Sequence, residues 1–386
     1  MANSGQQRTI RRITADLAAL RAADQFRDLS VRSGIELGSN DYLGLSSHQR
    51  LKRAIALALQ KDARVASTGS RLLSGNSERW EQLETEFAEF VGAEAALYFP
   101  SGYAANVGLL SAVLRPVDTV FSDSNNHASL IDGIRLSGAR KMIFPHLDLG
   151  FLKKALRLED GPGEKIVVVE SVFSMDGDHA PLPELISLCE QHAAGLIVDE
   201  AHTIGVEGEQ GRGVTRSAAA SGCMLARVFP CGKALASMGA FVAGSQTLKD
   251  FLINRARTFI FTTALPPYCA AHVREAVKLA AEADAQRQQV TKLGSYLRKR
   301  LQAAGFDIGG SDSQIIPLIL GSNDAALAVA AAMNSAHFAV RAIRPPTVPQ
   351  GTSRLRLSLN ATLSIPEMDH LVKSLVAVRE SKAVRQ

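Results

Sequence analysis

Lys233 is the single charged residue in the stretch "VFPCGKALASMGAFVAG", residues 228–244, and no other charge occurs between Arg227 and Lys249. Burying an unpaired ammonium among small and apolar residues is costly. One interpretation is that the lysine stem packs while its amine reaches water. The other is that the amine performs covalent chemistry and is held nearly neutral for it. This window alone leaves both interpretations open.

Two further apolar runs end in polar clusters that could face a ligand. Their members are Asp199, Glu200 and His202 after "GLIV", and Glu170, Ser174, Asp176 and Asp178 in "VVVESVFSMDGD". A carboxylate directly after four apolar strand residues is costly to bury unless it is paired. Asp199 therefore caps a helix, joins a structural ion pair, or binds a cationic group of a ligand.

A third run, "ALYFPSGYAANVGLL", passes from strand to helix through Ser101, Gly102 and Tyr103. Backbone N–H groups at a helix N-terminus form a seat for phosphate, although an ordinary turn explains the same letters. Together these features fit pyridoxal phosphate. That cofactor needs an imine-forming lysine, a carboxylate beside its ring nitrogen, and donors to its phosphate and phenolic oxygen. Storing Lys233 as the imine also removes the cost of a bare buried ammonium.

Seven short apolar runs predict the strands that position these residues. They are residues 95–99, 118–123, 141–145, 165–170, 195–200, 227–230 and 239–244. The runs are apolar on both faces and several are separated by helical patterns, which is typical of a mostly parallel sheet covered by helices. Ligands of such sheets bind beyond the carboxyl ends of the strands, where the polar clusters stand.

The flanks of this α/β region predict a smaller α/β domain made from both ends of the chain. We expect an N-terminal helix and extended segment over 1–45, a large cofactor-binding α/β domain over 46–280, and a small C-terminal α/β domain over 281–386. Long Ala-rich helices follow residue 267, and short strands and a helix fall within 314–359.

Composition and charge exclude several classes of protein. The net charge of +5 comes from 43 basic and 38 acidic residues without a basic block, so we predict no nucleic-acid partner. No apolar run approaches the length of a membrane span. The four cysteines stand far apart and no H-E-x-x-H occurs, so we predict no disulfide framework, no metal site and a cytoplasmic protein.

The motifs resemble those of the α-oxoamine synthases, pyridoxal phosphate enzymes of the aspartate-aminotransferase fold (fold type I). The resemblance covers nearly the whole chain. Its motifs are "SNDYLGLS" (39–46), "GSRLLSGN" (69–76), "NHASLIDG" (126–133), "ESVFSMDGD" (170–178), "VDEAHTIGVEGEQGRG" (198–213), "GKALAS" (232–237) and "AIRPPTVPQGTSRLRLSL" (342–359). The last motif points to the members that act in biotin biosynthesis.

The resemblance implies a role for each matching residue. Lys233 resembles the Schiff-base lysine, Asp199 the partner of the pyridine nitrogen, His202 the donor to the phenolic oxygen, and His127 the imidazole stacked on the ring. These four are the predicted catalytic residues, and all four also bind the cofactor. The further cofactor contacts are Gly102, Tyr103 and Ser174, with Thr262 and Thr263 reaching the phosphate of the neighbouring subunit.

Substrate contacts and subunit arrangement also follow from the resemblance. Arg27, His127 and Thr347 align with residues that contact substrate, while Asn40 and Arg356 align with the grip on the amino-acid carboxylate, for which a guanidinium is suited. Without the resemblance, His127 reads as a helix cap and Arg356 as a solvated strand charge. Because the threonines serve the neighbouring subunit, a homodimer with shared active sites is implied.

Two positions depart from the family pattern. Pro230 stands where the family usually offers a threonine hydroxyl to the phosphate, and proline has neither that hydroxyl nor an N–H. We therefore expect a weaker grip on phosphate, or one supplied by other residues such as Ser101. Trp80 stands where relatives typically carry histidine, and we have no interpretation of that change.

The implied reaction is the condensation of L-alanine with pimeloyl-CoA or pimeloyl-acyl-carrier protein, with loss of CO2 and release of the thiol. In it, the freed Lys233 amine removes the α-proton as general base. A sister activity that joins glycine to another acyl-CoA is the first alternative. An aminotransferase or lyase, which would need no thioester, and a catalytically silent protein that kept the fold also stay open.

Overall fold

The computed structural model of the protein describes residues 5–31, 33–62 and 64–381. The helices are α1 Gly5–Ala22, α2 Gln49–Lys61, α3 Glu78–Val91, α4 Gly102–Val113, α5 Ala128–Ser137, α6 Leu149–Leu158, α7 Leu182–Gln191, α8 Gln246–Arg255, α9 Arg257–Ile260, α10 Tyr268–Glu282, α11 Asp284–Ala303, α12 Asn323–Ser335 and α13 Ile365–Glu380. The strands are β1 Ile35–Glu36, β2 Ala95–Phe99, β3 Thr119–Asp123, β4 Arg140–Phe144, β5 Lys165–Glu170, β6 Gly195–Asp199, β7 Met224–Pro230, β8 Ala240–Gly244, β9 Ile315–Gly321, β10 Phe338–Ala339, β11 Ala342–Ile343 and β12 Ser353–Ser358.

The chain divides into a large and a small compact unit. The large unit comprises residues 40–291 and 360–362, and the small unit comprises the residues up to Ser39, Lys292–Leu359 and the residues from Leu363 onward. The division predicted at residues 45 and 280 stays a prediction.

A seven-stranded sheet forms the centre of the large unit, with the order β2-β8-β7-β6-β5-β3-β4. Strands β4, β3, β5, β6 and β7 are parallel to one another, whereas β8 is antiparallel to both β7 and β2. The sequence prediction of seven strands in a mostly parallel sheet is confirmed.

Alternating side chains on the central strands explain why helices cover both faces of this sheet. Ile166 and Val168 pack into one buried cluster with residues of α4, α5 and α8. Val167 and Val169 pack into a second cluster with residues of α6 and α7. Each such buried side chain contributes about 1.5–3 kcal/mol, so a continuous apolar run is the pattern that a doubly covered strand requires.

The small unit has its own core. Strands β11, β12 and β9 form an antiparallel sheet, and its apolar side chains cluster with Leu297 of α11, Met333 of α12 and Leu371 of α13. Strand β1 pairs with β10 in parallel. Helix α1 buries none of its residues.

Parallel strands bring their carboxyl ends to one edge of the sheet, and that edge carries most of the predicted site. The loops after β3, β5, β6 and β7 hold His127, Ser174, His202 and Lys233, in that order. Within residues 5–31, 33–62 and 64–381, no helix has both the length and the apolar character that crossing a membrane demands.

Candidate active site

A cavity of about 300 Å³ opens at the carboxyl edge of the sheet. Its walls include six of the predicted site residues, namely Asn40, Gly102, Tyr103, His127, Asp199 and Lys233. A larger cavity of about 700 Å³, bordered by residues such as Glu209 and Arg216, contains none of them. Chemistry rather than size therefore selects the smaller cavity as the candidate active site.

Lys233 lies on the short loop that joins β7 to β8, residues 231–239. The Cys231 N–H donates to the Gly239 carbonyl at 2.9 Å, and the Ala236 N–H donates to the Lys233 carbonyl at 2.8 Å. Gly239 has a φ of +72°, and a Cβ there would lie 2.1 Å from the hydroxyl oxygen of Tyr98. Only glycine fits this position, so the turn that presents Lys233 is fixed by its own backbone.

The Lys233 amine begins a chain of polar contacts. Its Nζ lies 2.9 Å from Nε2 of His202, and Nδ1 of the same ring lies 2.6 Å from the hydroxyl of Tyr42. The Tyr42 hydroxyl donates to Oδ1 of Asn40 at 3.1 Å. His202 and Tyr42 are both buried. Lys233 itself is half-buried and lines the cavity, and its contact with a buried imidazole favours the second interpretation of the lone lysine.

Asp199 ends β6 and is buried. Its Oδ2 accepts from the Asn106 amide at 2.7 Å, and its Oδ1 accepts from the Ala201 N–H at 2.9 Å. Asn106 also donates to the Ser129 hydroxyl at 2.9 Å. These contacts fix the direction of the carboxylate in the cavity wall, where it suits a protonated ring nitrogen.

His127 both caps a helix and lines the cavity. Its Nδ1 accepts from the Ser129 N–H at 3.2 Å at the start of α5, so His127 does cap this helix. Desolvation lowers the pKa of this imidazole and Lys233 lowers it further, while Asp199 opposes the shift. The ring is therefore neutral at pH 7, as a stacking face for a ligand should be.

Glu170 is a buried carboxyl that the sequence noted without assigning a role. It ends β5 directly beside Asp199 in the sheet register and lines the cavity. Burial raises the pKa of Glu170 to about 8, and the neighbouring carboxylate of Asp199 adds to the effect, whereas Lys233 and the backbone N–H groups of His127 and Ser174 oppose it. Glu170 is protonated at neutral pH as a result.

The turn before α4 forms another wall of the cavity. Ser101 caps the helix by accepting from the Ala104 N–H at 3.0 Å, and the Tyr103 hydroxyl donates to the Asp132 carboxylate. A Cβ at Gly102 would lie 3.0 Å from two ring carbons of Pro230. The glycine thus lets the helix N-terminus approach the end of β7.

The remaining predicted residues lie outside the lining of this cavity. Ser174 is buried in the loop after β5. Thr262 borders a separate small cavity with Trp80 and Arg71, and Thr263 is exposed. In the small unit, the Arg27 guanidinium donates to the Thr347 hydroxyl at 3.3 Å. Arg356, also in the small unit, is buried and donates to the Ser358 hydroxyl at 2.5 Å, so it is not a solvated strand charge.

Two contacts in the site were not predicted from the sequence. Tyr42 lies within the quoted motif "SNDYLGLS" yet received no role, although it holds the ring of His202. Asn106 follows the predicted phosphate-binding turn by one helical turn, and its side chain reaches Asp199. The motif itself was a usable signal for Tyr42, whereas nothing in the sequence paired Asn106 with Asp199.

The donor set fits pyridoxal phosphate. One cavity combines an amine, a buried carboxylate held by neutral donors, a neutral imidazole and a helix N-terminus. These are the groups that an aldehyde, a protonated pyridine ring and a phosphate require. The fold and the site together define the aminotransferase-like class of pyridoxal phosphate enzymes.

Comparison with known proteins narrows this class. The model of the family "Aminotransferase class I and II" matches residues 32–375. The 8-amino-7-oxononanoate synthase of Burkholderia vietnamiensis is 44% identical over 97% of this chain and 93% of its own length. That of Geobacter sulfurreducens is 41% identical over 95% of this chain and 98% of its own. The chain belongs to the class I and II aminotransferase family and, within it, to the α-oxoamine synthases related to 8-amino-7-oxononanoate synthase.

Solved structures agree with this placement. A serine palmitoyltransferase from S. paucimobilis with a bound PLP–myriocin aldimine superposes with a TM-score of 0.87 at 28% identity, covering 95% of this chain and 96% of that one. The 8-amino-7-oxononanoate synthase of Francisella tularensis superposes with a TM-score of 0.78 at 30% identity, covering 89% and 97%. Both the predicted fold and the predicted family are confirmed.

Proposed function

We propose that this protein condenses L-alanine with a pimeloyl thioester to give 8-amino-7-oxononanoate, CO2 and a free thiol, and so serves biotin biosynthesis. The similarity of 44% over nearly the whole chain to a curated 8-amino-7-oxononanoate synthase carries this proposal. The chemistry of the product agrees with it. Its nine-carbon chain contains the seven carbons of a pimeloyl group and two of alanine, whose carboxyl carbon leaves as CO2.

Pyridoxal phosphate, when bound, supplies an electron sink that stabilises negative charge on the α-carbon of an amino acid. Lys233 would hold the cofactor covalently, and its amine, once released by the incoming amino acid, would accept the α-proton. Asp199, fixed by Asn106, would keep the ring nitrogen protonated. His202, fixed by Tyr42, would orient the amine that it contacts and donate to the phenolic oxygen. His127 would cover one face of the ring as a neutral imidazole.

Phosphate and substrate contacts complete the proposed site. The helix N-terminus at Gly102 and Tyr103 would bind phosphate, with Ser174 as a further cofactor contact. We assign the amino-acid carboxylate to Asn40 and Arg356. Arg27 and Thr347 are assigned to the substrate as well, on the resemblance of their motifs.

A homodimer with shared active sites is part of the proposal. Thr262 and Thr263 do not line the cavity of their own chain, which suits residues that serve a partner. Phe261 beside them is 72% exposed, and Leu73 is 84% exposed. Both side chains are open to contact with a second copy of the chain. The four buried free cysteines support the cytoplasm as the location.

The second candidate is the activity named by the structural neighbours, since the serine palmitoyltransferase superposes with the higher TM-score. Its identity of 28% is well below the 44% found with the synthase. Thiol release distinguishes the two candidates. We expect release with L-alanine and pimeloyl-CoA, and none with L-serine and palmitoyl-CoA or with glycine and acetyl-CoA.

Lys233→Ala is expected to reduce thiol release at least about 1,000-fold, because it removes both the covalent anchor and the general base. Lys153→Ala, at an exposed position on α6, is the matched control and should keep full activity. If pimeloyl-CoA is inert but the pimeloyl-acyl-carrier protein reacts, the reaction stands and the carrier is assigned. Release with serine and palmitoyl-CoA alone would refute the proposal.

A further inference from the structure

His146 lies outside the cavity and joins two of the loops that carry predicted site residues. It follows β4, and its Nδ1 lies 2.9 Å from Oδ1 of Asp123 while its Nε2 lies 3.0 Å from Oδ2 of Asp178. Asp123 ends β3, four residues before His127. Asp178 lies in the loop after β5, four residues beyond Ser174.

The imidazole is positively charged in this arrangement. Both ring nitrogens face carboxylate oxygens, and a carboxylate can only accept. Burial alone would lower the pKa of His146, but the hydrogen bonds to Asp123 and Asp178 outweigh it and raise the pKa to about 10. The ring also meets the Phe173 ring edge to face, with 4.5 Å between centroids and 87° between planes. On its own segment, the nearby Asp148 is engaged as the cap of α6.

Asp123 links His146 to the loop that ends at His127. Its Oδ1 accepts from the Asn125 N–H at 2.8 Å, and its Oδ2 accepts from the Leu147 N–H at 3.0 Å. The Asn125 amide in turn donates to Oδ2 of Asp176 at 3.0 Å. The loops after β3 and β5 are thus fastened to each other twice, once through His146 and once through Asn125. The Asp123 side chain is wholly buried, so water does not compete for it.

We propose that His146 is a positioning residue, which as a cation holds the loop presenting His127 against the loop presenting Ser174. It touches neither of these residues and acts on the cavity only through Asp123 and Asp178. This inference rests on the proposed function, because the two loops matter for catalysis only where they frame the cofactor. Its consequences for cofactor binding, however, do not depend on which acyl thioester is used.

His146→Gln tests the proposal, since glutamine lacks the charge and cannot donate to both carboxylates in the same geometry. The first measurement is hydrogen–deuterium exchange of the apoprotein. Exchange should rise in both loops, residues 123–127 and 171–178, and stay unchanged in residues 257–267. A role confined to the His146 segment would change only the residues around it.

The second measurement is titration of the apoprotein with pyridoxal phosphate, followed by the visible circular dichroism of the bound cofactor. Partners that orient a ligand-binding side chain typically contribute 10–100-fold in affinity at metal sites, and we expect the cofactor dissociation constant to rise about 10-fold here. The dichroism per bound cofactor should also fall, because His127 no longer covers the ring at a fixed angle. Arg274→Gln, which removes an exposed ion pair with Glu86 between α10 and α3, is the matched control and should leave both readouts unchanged.

Asp178→Asn reports on the same contact from the other side and leaves the His146–Asp123 pair in place. It should reproduce the exchange pattern, and the double variant should weaken cofactor binding no more than His146→Gln alone, because the contact that Asp178→Asn breaks is already lost in His146→Gln. If His146→Gln does not fold, Asp178→Asn carries the test with the same readouts.

Wild-type exchange in either loop, or wild-type cofactor affinity in both variants, would overturn the inference. Failure of the wild-type protein to release thiol from pimeloyl-CoA would instead count against the proposed function, while the titration and exchange would still decide the role of His146.

Discussion

Glu170 ends β5 in the wall of the candidate active-site cavity, beside Asp199, and it offers a sharp test of the electrostatics of the site. Replacing it by glutamine keeps the shape of the protonated side chain and removes the ability to ionise. Burial raises the pKa of Glu170 from an ordinary 4.5 to about 8. The folded protein therefore keeps this proton over a pH range in which the unfolded chain has lost it.

The sign of the effect follows from proton linkage. Where the unfolded state binds fewer protons than the folded state, stability falls as the pH rises. For Glu170 this loss begins near pH 4.5, is largely complete near pH 8 and persists above it. The pKa of Glu170 is 4.5 in the unfolded chain and about 8 in the folded protein. Each difference of one in pKa corresponds to about 1.4 kcal/mol. The full loss is therefore on the order of 5 kcal/mol.

Thermal unfolding of the apoprotein at pH 5, 7 and 9, followed by fluorescence, measures this slope. Trp80 is the only tryptophan and is buried in the large unit against Tyr98, so it reports on the unit that contains Glu170. Glu170→Gln should unfold close to the wild-type temperature at pH 5 and above it at pH 9. Glu164→Gln, at an exposed position, is the control and should track the wild type at each pH. If the unfolding temperatures of the wild type and Glu170→Gln change with pH in the same way, the assignment of a buried, protonated carboxyl is refuted.

Three other substitutions test separate features. Pro230→Thr adds a hydroxyl at the cavity wall and should tighten cofactor binding about tenfold in titrations, since one charge-assisted hydrogen bond contributes about 1.5 kcal/mol. Phe261→Asp should lower the mass measured by light scattering from that of a dimer to that of one chain, because it places a charge on the exposed apolar surface beside the threonines. Glu84→Gln should lower the free energy of unfolding by about 3 kcal/mol in urea, because it leaves Arg71 and Lys249 without the carboxylate that lies 2.8 and 3.1 Å from them.

Each of these substitutions has a counterpart that should have no effect. Pro116→Thr and Glu86→Gln change the same residue types at exposed positions, and Leu136→Asp changes another exposed large apolar residue. Unchanged cofactor affinity in Pro230→Thr would show that the phosphate does not approach the end of β7. A dimer that survives Phe261→Asp would move the interface elsewhere, and a Glu84→Gln protein of wild-type stability would show that the two cations rearrange freely.

The fold was accessible from the sequence because its main signal is local. Each of the seven sheet strands contains a short apolar run. In β5, Val167 and Val168 face two different cores, which is the arrangement that the consecutive apolar residues 166–169 predict. Lys233 was equally visible, because a single charge in a long uncharged stretch stands out. Asp199 and His202 stood out as polar residues directly after an apolar run, and the resemblance to the α-oxoamine synthases supplied their predicted roles.

The contacts that orient the site residues were not accessible, because they join segments far apart in the chain. Tyr42 and His202 are 160 positions apart, and Asn106 and Asp199 are 93 apart. Polar residues at strand ends are common in loops, so nothing local marks His146 as the partner of two aspartates. Glu170 was noted as part of a polar cluster at a strand end. Its protonation, however, depends on burial beside Asp199, which only the sheet register reveals.

The antiparallel pairing of β7 with β8 has a consequence for how the protein acquires its cofactor during folding. The two strands are neighbours in sequence as well as in the sheet, so the turn that carries Lys233 closes over residues 231–239 at a small cost in chain entropy. Asp199 and His127 reach the same cavity only after parallel strands and their crossover helices have assembled, which is slow. We therefore expect the lysine turn to form early and to stand in water until the parallel half of the sheet arrives. In refolding experiments, the rate of cofactor attachment would then follow the completion of the parallel sheet. It would not follow the formation of the hairpin that carries the lysine.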